Sequence, residues 1–305
     1  MRESEKLKGH LMALFSVLVW GTTFVSTKTL LQDFDPVVIL FLRFVLGFVA
    51  LAVACPRILK TKGWREELCF MGAGLCGVTL YFLFENIALT FTFASNVGVI
   101  VSIAPIFTAV LAHFFLKGER LRTTFFIGFV FAIGGIFLIS YSGASAFALN
   151  PMGDILAVLA AFVWAIYSVI MKKVGSFGYN TIQTTRRTFL YGLVFMIPVL
   201  LVYDLDWNLE RLMHPVAALN FLFLGLGASA LCFATWNVAV KVLGAVKTSV
   251  YIYLVPVVTL IFAALVLKEQ ITGLAALGTG LTLAGLVLSE SRLHIKRRVA
   301  EEQMP

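Results

Sequence analysis

Long apolar segments and short polar connections alternate along the chain. Each segment holds about 20 residues, the length of a helix that crosses the hydrocarbon core of a bilayer. Backbone polar groups in hydrocarbon must be paired within their own segment, so each one is predicted to be a helix. The ten predicted spans cover residues 9–31, 36–55, 67–89, 95–116, 122–141, 152–173, 181–203, 215–239, 246–267 and 271–289. The pattern predicts an all-α integral membrane protein with ten transmembrane helices.

The composition supports this interpretation. Of the 305 residues, 60% are hydrophobic and 13% are charged, and the mean hydropathy is +0.95. Soluble domains are about 45–50% apolar and about 25% charged. These values exclude a soluble enzyme, a nucleic-acid-binding protein and any sizeable domain outside the membrane. The expected surroundings are a lipid bilayer, and no nucleic acid is expected as a partner.

Basic residues are divided unevenly between the two predicted sides of the membrane. If the N-terminus is cytoplasmic, the inner segments carry most of the 24 Lys and Arg residues, and the outer segments carry Lys28, Arg211 and Lys268. Cytoplasmic loops of membrane proteins are enriched in Lys and Arg. The sequence therefore predicts a multi-pass protein of the cell (inner) membrane with both termini in the cytoplasm.

The second half of the sequence repeats features of the first half in the same order. Each half holds five spans, an odd number, so the second half should enter the membrane from the opposite side. Inverted repeats of this kind are typical of transporters with a site near the midplane. The predicted repeats are residues 1–150, with spans one to five, and residues 151–305, with spans six to ten and a cytoplasmic tail. The matched pairs include Trp20 with Trp164, Lys28 with Lys172, Arg43 with Arg187, Asn86 with Asn237, and Pro105 with Pro256.

Each repeat carries a proline near the centre of a span. Pro105 and Pro256 lie about ten residues into spans four and nine, roughly 15 Å deep. A proline leaves the carbonyl four residues earlier without its usual partner, here at Val101 and Ile252. An unpaired carbonyl in a membrane must face protein or a polar cavity. These positions predict a gating kink beside a cavity, and a purely structural kink is the alternative.

Two tryptophans lie halfway along their spans, away from the interfaces where tryptophan is usually found. Trp20 in span one and Trp164 in span six each need a hydrogen-bond acceptor for the indole N–H. Both are therefore predicted to line a cavity, and the alternative is ordinary packing between helices.

Charged side chains inside predicted spans are functional candidates because burying a charge in a membrane is costly. Glu85 lies well within an apolar run, at a depth similar to Lys28 and Arg43. Glu85 is either a substrate or proton site, or part of a structural ion pair among these three residues, or one of three side chains that extend to the membrane surface. On the inner side, Arg187 and its basic neighbours lack an acidic counterpart inside a span. They are expected to contact lipid head groups or the carboxylate of a solute.

Several short motifs follow one another along the first half and recur in part in the second. They are Trp20-Gly21-Thr22-Thr23-Phe24, Lys28, Arg43-Phe44, Asn86-Ile87-Ala88-Leu89, Ala94-Ser95-Asn96-Val97, Ala104-Pro105-Ile106-Phe107 and Leu116-Lys117-Gly118-Glu119. With these motifs the chain resembles the drug/metabolite transporter superfamily, in its EamA-type branch of ten-span proteins. The resemblance implies secondary transport of small organic solutes, often export of amino acids or related metabolites. The second half departs from the first at Trp236, in place of Glu85, and at Lys247, in place of Asn96.

No cofactor and no metal site are predicted. Residues 72–77 fit a dinucleotide-binding pattern but lie inside a span with no preceding strand. The sequence holds no phosphate-binding P-loop and no Cys/His cluster with ligand spacing. Glycines and alanines at four-residue spacing in spans five and ten predict close helix contact, either as a scaffold or in a homodimer.

The sequence thus predicts a secondary transporter that works by alternating access and is not an enzyme. The expected substrate is a small amphipathic metabolite, an amino acid or a related compound, and the expected direction is export. A channel or facilitative pore is the alternative, and a membrane-embedded enzyme is a further one. Spans one, three, four, six, eight and nine are expected to enclose the site. The predicted substrate-binding residues are Trp20, Tyr81, Glu85, Asn96, Trp164, Asn237, Tyr251 and Tyr253.

Overall fold

The computed structural model describes residues 3–91, 94–116, 123–143, 150–202, 209–266 and 272–290. Seven helices in this part of the chain are long and apolar enough to cross a membrane, and three shorter apolar helices accompany them. Each of the ten predicted spans corresponds to one of these helices, so the prediction of a helical multi-pass membrane protein is confirmed. The described residues contain no β-strand.

The ten helices are numbered α1–α10. A further short helix, Leu209–Met213, precedes α8. The bounds are α1 Glu3–Leu30, α2 Pro36–Ala54, α3 Trp64–Phe91, α4 Ala94–Val101 with Ala104–Phe115, α5 Thr123–Gly143, α6 Pro151–Gly175, α7 Thr181–Val202, α8 Pro215–Leu243, α9 Ala245–Ser249 with Val250–Tyr253 and Leu254–Val266, and α10 Gly273–Glu290.

Prolines begin three of these helices. Pro36, Pro151 and Pro215 lie in the first turns of α2, α6 and α8. A proline at the first helical position loses no hydrogen bond, and its fixed φ angle suits the helix. At α6, the Asn150 side chain also accepts a hydrogen bond from the Gly153 N–H at 3.3 Å. These local signals explain why the boundaries could be predicted from the sequence.

The helix contacts follow the sequence repeat. Helix α1 packs against α8 and α9, and α6 packs correspondingly against α3 and α4. Helix α2 packs against α7 and α8, and α3 packs against α7 as well as α6. Helices α5 and α10 pack along each other at one side of this group. The cores of α1, α3 and α6 thereby come together in the middle of the molecule.

Two corresponding helices contain π-helical segments. Leu75–Leu80 in α3 and Phe223–Leu231 in α8 have this wider winding. A π-helical turn skips some of the usual α-helical hydrogen bonds and is frequent at functional sites. Both segments occupy equivalent places in the two sequence halves. The hydrophobic pattern alone did not predict them.

Helices α4 and α9 are interrupted at the predicted proline positions. In α4, Ser102 and Ile103 separate the two halves, and Pro105 lies in the first turn of the second half. In α9, the segment Val250–Tyr253 is a 3₁₀-helix, and Pro256 follows it in the first turn of Leu254–Val266. The paired prolines therefore coincide with paired changes in helix geometry.

Glycines allow α5 and α10 to approach each other within one chain. A Cβ atom added at Gly135 would lie 2.4 Å from the Gly278 carbonyl oxygen, and one at Gly285 would lie 2.4 Å from the Ala132 backbone nitrogen. Only glycine fits at these positions. On α5, Gly128 and Ala132 of the predicted small-residue face lie in this contact. On α10, Ala276, Gly280 and Ala284 of the predicted face are exposed, and Gly278 and Gly285 make the contact instead. The homodimer stays a prediction.

Candidate functional site

A partly enclosed cavity of about 50 Å³ lies in the middle of the helix group. It is large enough for water molecules and smaller than the 300–1,000 Å³ or so of a typical ligand pocket. Six helices supply its wall: α1, α2, α3, α4, α6 and α9. The lining residues are Trp20, Thr23, Phe24, Arg43, Tyr81, Phe82, Glu85, Gly98, Val101, Ser102, Trp164, Ile252 and Val255.

The wall differs from the predicted set of helices at one place. Span eight was expected to line the cavity, and α2 lines it instead through Arg43. Helix α8 contributes no residue to the lining, and its Phe233 and Trp236 rings contact Trp20 with centroids 5.9 Å and 5.0 Å away.

Aromatic rings form one side of the cavity. The rings of Trp20 and Trp164 meet edge to face, with centroids 5.4 Å apart, and Tyr81 lies 4.8 Å from Trp164. The Trp20 N–H donates a hydrogen bond to the Ala228 carbonyl at 2.9 Å. Ala228 belongs to the π-helical segment of α8. The two predicted mid-membrane tryptophans are therefore neighbours, and they come from corresponding positions of the repeat.

Arg43 is a buried cation in the cavity wall, with 2% of its surface exposed. Its Nε donates to the Ser229 hydroxyl at 3.0 Å, and its guanidinium carbon lies 4.4 Å from the centre of the Phe82 ring. Cation–π contact of this kind partly replaces the lost hydration of a buried guanidinium. The sequence prediction marked Arg43 as an intramembrane charge and did not assign it to the cavity.

Glu85 is also buried, with 8% of its surface exposed, and lines the same cavity. Its carboxylate accepts a hydrogen bond from the Tyr81 hydroxyl at 3.1 Å, one helical turn earlier. Lys28 is exposed, and its Nζ lies 3.5 Å from the Leu89 carbonyl oxygen. Across the described segments, Glu85 makes no ion pair within 4.0 Å with Lys28 or Arg43. Arg43 and Glu85 therefore face one cavity as separate opposite charges.

The interrupted helices reach the cavity close to their prolines. Gly98, Val101 and Ser102 of α4 belong to the wall, as do Ile252 and Val255 of α9. Pro105 and Pro256 themselves are buried just beyond these residues. Discontinuous helices that meet at a central site are characteristic of secondary transporters. Both prolines therefore lie beside the cavity without lining it, and their gating role stays a prediction.

Three predicted binding residues lie elsewhere. Asn237 is buried between helices, accepting a hydrogen bond from the Tyr167 hydroxyl at 2.7 Å and donating one to the Thr185 hydroxyl at 3.0 Å. Tyr251 contacts His10 near the start of α1, with its hydroxyl 2.6 Å from Nδ1. Tyr253 is buried in a separate apolar cluster beside α5. Asn96 lies on α4, and its side chain is outside the described residues.

Arg187 requires a correction, because it does have an acidic partner. It forms a bidentate ion pair with Glu67 at the start of α3, and Tyr191 donates to the same carboxylate at 2.7 Å. Thr61, before α3, adds a further hydrogen bond at 2.9 Å. Sequence reasoning missed this contact because only the packing of α3 against α7 brings the two charges together.

We expect the pair Glu67 and Arg187 to couple α3 to α7. In a double-mutant cycle, Glu67→Gln and Arg187→Gln should each lower thermal stability, and the double variant should lose about 1 kcal/mol less than the sum, since each single variant already breaks the pair. Thermal unfolding of the four purified proteins in one detergent measures this coupling. Strictly additive losses would show that the pair contributes nothing to the contact.

Other wall residues escaped prediction because they are ordinary apolar residues in apolar helices. Phe82 and Val255 carry no signal that separates them from lipid-facing neighbours, whereas Val101 and Ile252 were marked by the carbonyls that the two prolines leave unpaired. Thr23 is an exception, since it shares a helix face with Trp20. Among the described residues, no group of three or more His, Cys, Asp or Glu could hold a metal ion.

The chain is similar to known transporters over nearly its whole length. Residues 7–141 and 151–290 each match the EamA-like transporter family. A protein of Archaeoglobus fulgidus described as an uncharacterized transporter is 30% identical over 291 residues, which cover 94% of this chain and 99% of that protein.

Two further relatives have names that mention amino acids. A probable terminal-alkyne amino-acid exporter of Streptantibioticus cattleyicolor is 29% identical, with 97% of this chain and 98% of that protein covered. A probable amino-acid metabolite efflux pump of Escherichia coli is 27% identical, with 96% and 98% covered. A crystal structure that is 21% identical superimposes with a TM-score of 0.74 over 95% of this chain and 97% of its own, which shows that the fold is shared.

Proposed function

Because the chain belongs to the EamA-like transporter family, we propose that it exports a small amphipathic metabolite, an amino acid or a related compound, by alternating access. The observation that carries this proposal is the central cavity, where aromatic rings and two opposite charges meet at the interruptions of α4 and α9. Aromatic walls with a few polar groups are typical of small-molecule sites.

The names of two relatives support an amino-acid substrate class. One is a probable terminal-alkyne amino-acid exporter, and the other is a probable amino-acid metabolite efflux pump. Both are similar to this chain from end to end. The wall offers apolar surface for a side chain and charged groups for polar ends, which suits the same class of solute.

Movement of helices is part of the proposal. A cavity of about 50 Å³ must widen to admit most amino acids. The two repeats, residues 1–150 and 151–305, would rock against each other around the cavity, with α4 and α9 bending at their interruptions. Both termini are placed in the cytoplasm, following the distribution of Lys and Arg. The energy source is either proton exchange or the solute gradient alone.

Counterflow in reconstituted vesicles tests this function. Vesicles preloaded with an unlabelled amino acid should transiently accumulate the labelled form above equilibrium, because a carrier exchanges one molecule for another. A panel of amino acids and metabolites would identify the substrate, and protein-free vesicles are the control. Uptake without a transient excess would indicate a pore, and no uptake of any panel member would contradict the proposal.

A further inference from the structure

The cavity wall contains hydrogen-bond donors that the described protein does not use. Arg43 has five N–H groups, and the one on Nε donates to Ser229. The terminal guanidinium nitrogens have no acceptor among the described residues. Since Arg43 is otherwise buried and lines the cavity, these nitrogens are reached from the cavity. The charge of Glu85 in the same wall attracts Arg43, but the two make no ion pair within 4.0 Å among the described residues. A bound anion would accept hydrogen bonds from the remaining donors of this buried cation.

Trp164 supplies a second and independent donor. Its side chain is 3% exposed and lines the cavity, and its Nε1 has no hydrogen-bond partner within the described segments. The neighbouring Trp20 differs, because its N–H is bonded to the Ala228 carbonyl. Buried indole N–H groups normally have an acceptor. The Nε1 of Trp236 also lacks a partner among the described residues, but of these two tryptophans only Trp164 lines the cavity, so a ligand there would supply its acceptor.

The opposite charge in the same wall restricts the ligand further. Glu85 accepts one hydrogen bond, from the Tyr81 hydroxyl, and keeps capacity for another donor. Because Glu85 and Arg43 are not paired with each other in the described structure, a ligand with both charges can satisfy both groups. An ammonium group next to the Trp20 and Trp164 rings would also gain cation–π attraction.

We propose that the cavity recognises the carboxylate of its solute through the Arg43 guanidinium and the Trp164 indole N–H, and the solute's ammonium group through Glu85. This inference rests on the proposed transport function and names the chemical group that selects the substrate. The solute class is that of α-amino-acid zwitterions, in which the two charges are one carbon apart. The side chain of the amino acid would lie against the aromatic and aliphatic part of the wall.

Thermal stabilisation of the purified full-length protein by matched ligands tests the proposal. The probes are the twenty common amino acids and their amides, in which a neutral amide replaces the carboxylate. We expect stabilisation by acids and at least tenfold weaker stabilisation by the matched amides, since each hydrogen bond to a charged group is worth about a factor of ten. Sodium chloride and sodium acetate separate amino-acid binding from non-specific anion binding.

Two tryptophan variants form a matched comparison. Trp236 is buried in the same aromatic cluster and its Nε1 also has no partner within the described chain, but it is not part of the cavity wall. Trp164→Phe should weaken binding of the amino acids about tenfold and lower the ratio of amino-acid affinity to amide affinity. Trp236→Phe should leave this ratio unchanged. A purely structural effect of losing an indole would not change the ratio of acid to amide binding.

Variants of Arg43 test whether its guanidinium group binds the carboxylate. Arg43→Gln should abolish the preference for acids over amides, and Arg43→Lys should keep part of it, because lysine retains the charge but not the fork of donors. Equal stabilisation by acids and amides, equal effects of the two tryptophan variants, or no stabilisation by any amino acid would overturn the proposal.

The result can be separated from that of the transport proposal. If the protein catalyses counterflow but binds amino acids and their amides equally well, the transport function is supported and the role of Arg43 and Trp164 is refuted. Arg43-dependent binding of amino acids without any counterflow would support the recognition site and refute export. Stabilisation by chloride or acetate alone would reduce the site to an anion site and count against zwitterion recognition.

Discussion

Gly135→Ala is expected to destabilise the protein by about 1–3 kcal/mol, the cost of adding an atom to a filled interface. The new Cβ would lie 2.4 Å from the Gly278 carbonyl oxygen and 2.6 Å from the Thr282 backbone nitrogen. Both neighbours are backbone atoms of α10, so no side-chain rotation can make room for the new atom. The loss would appear as a lower unfolding temperature of the purified protein in detergent.

The adjacent glycine provides the control. A Cβ atom at Gly134 would meet no atom of the described residues within 4 Å. Alanine favours a helix over glycine by about 1 kcal/mol, so Gly134→Ala should leave stability unchanged or raise it. Equal destabilisation by both variants would mean that helix α5 is sensitive for a reason other than its contact with α10.

Glu85→Gln is expected to abolish the pH dependence of transport. The carboxyl group of Glu85 is buried in the cavity wall, and a carboxyl in such a place can take up and release protons as the cavity opens to either side. Glutamine keeps the size of the side chain and cannot ionise. Counterflow rates measured over a pH series for both proteins check this expectation.

A second glutamate on the same helix serves as the comparison. Glu66 lies at the start of α3, outside the cavity, and accepts a hydrogen bond from the Tyr179 hydroxyl at 2.7 Å. Glu66→Gln should therefore keep the wild-type pH profile. A wild-type rate that does not vary with pH, or a Glu85→Gln profile parallel to that of the wild type, would contradict a protonation role for Glu85.

The helices and their interruptions were predictable because both follow from local chemistry. Apolar length defines a membrane helix, and a proline removes a backbone donor wherever it stands. For this reason the pattern located α4 and α9 and the changes in them near Pro105 and Pro256. The mid-span positions of Trp20 and Trp164 also predicted that they line a cavity, and both belong to its wall, whereas the contact between their rings was not predicted.

The facing direction of polar residues was not predictable. Asn237 and Arg43 both lie within apolar helices, but Asn237 is satisfied by Tyr167 and Thr185, whereas Arg43 borders the cavity. Which neighbour a side chain meets depends on how each helix is rotated against the others. The same is true of Arg187, whose partner Glu67 is 120 residues away in sequence. Hydropathy and spacing carry no information on these long-range contacts.

The π-helical segment of α3 links an anchored stretch of helix to the stretch that carries Tyr81 and Glu85. Just before it, Gly74 is held against the α7 backbone, where an added Cβ would lie 2.6 Å from the Gly192 nitrogen. One residue of α-helix corresponds to about 100° of rotation. A π-helical turn holds one more residue than an α-helical turn. If residues 75–80 wound as an α-helix instead, the extra residue would turn Glu85 by about 100° about the helix axis relative to Gly74, so the direction in which the acidic group faces depends on this segment keeping its wider winding.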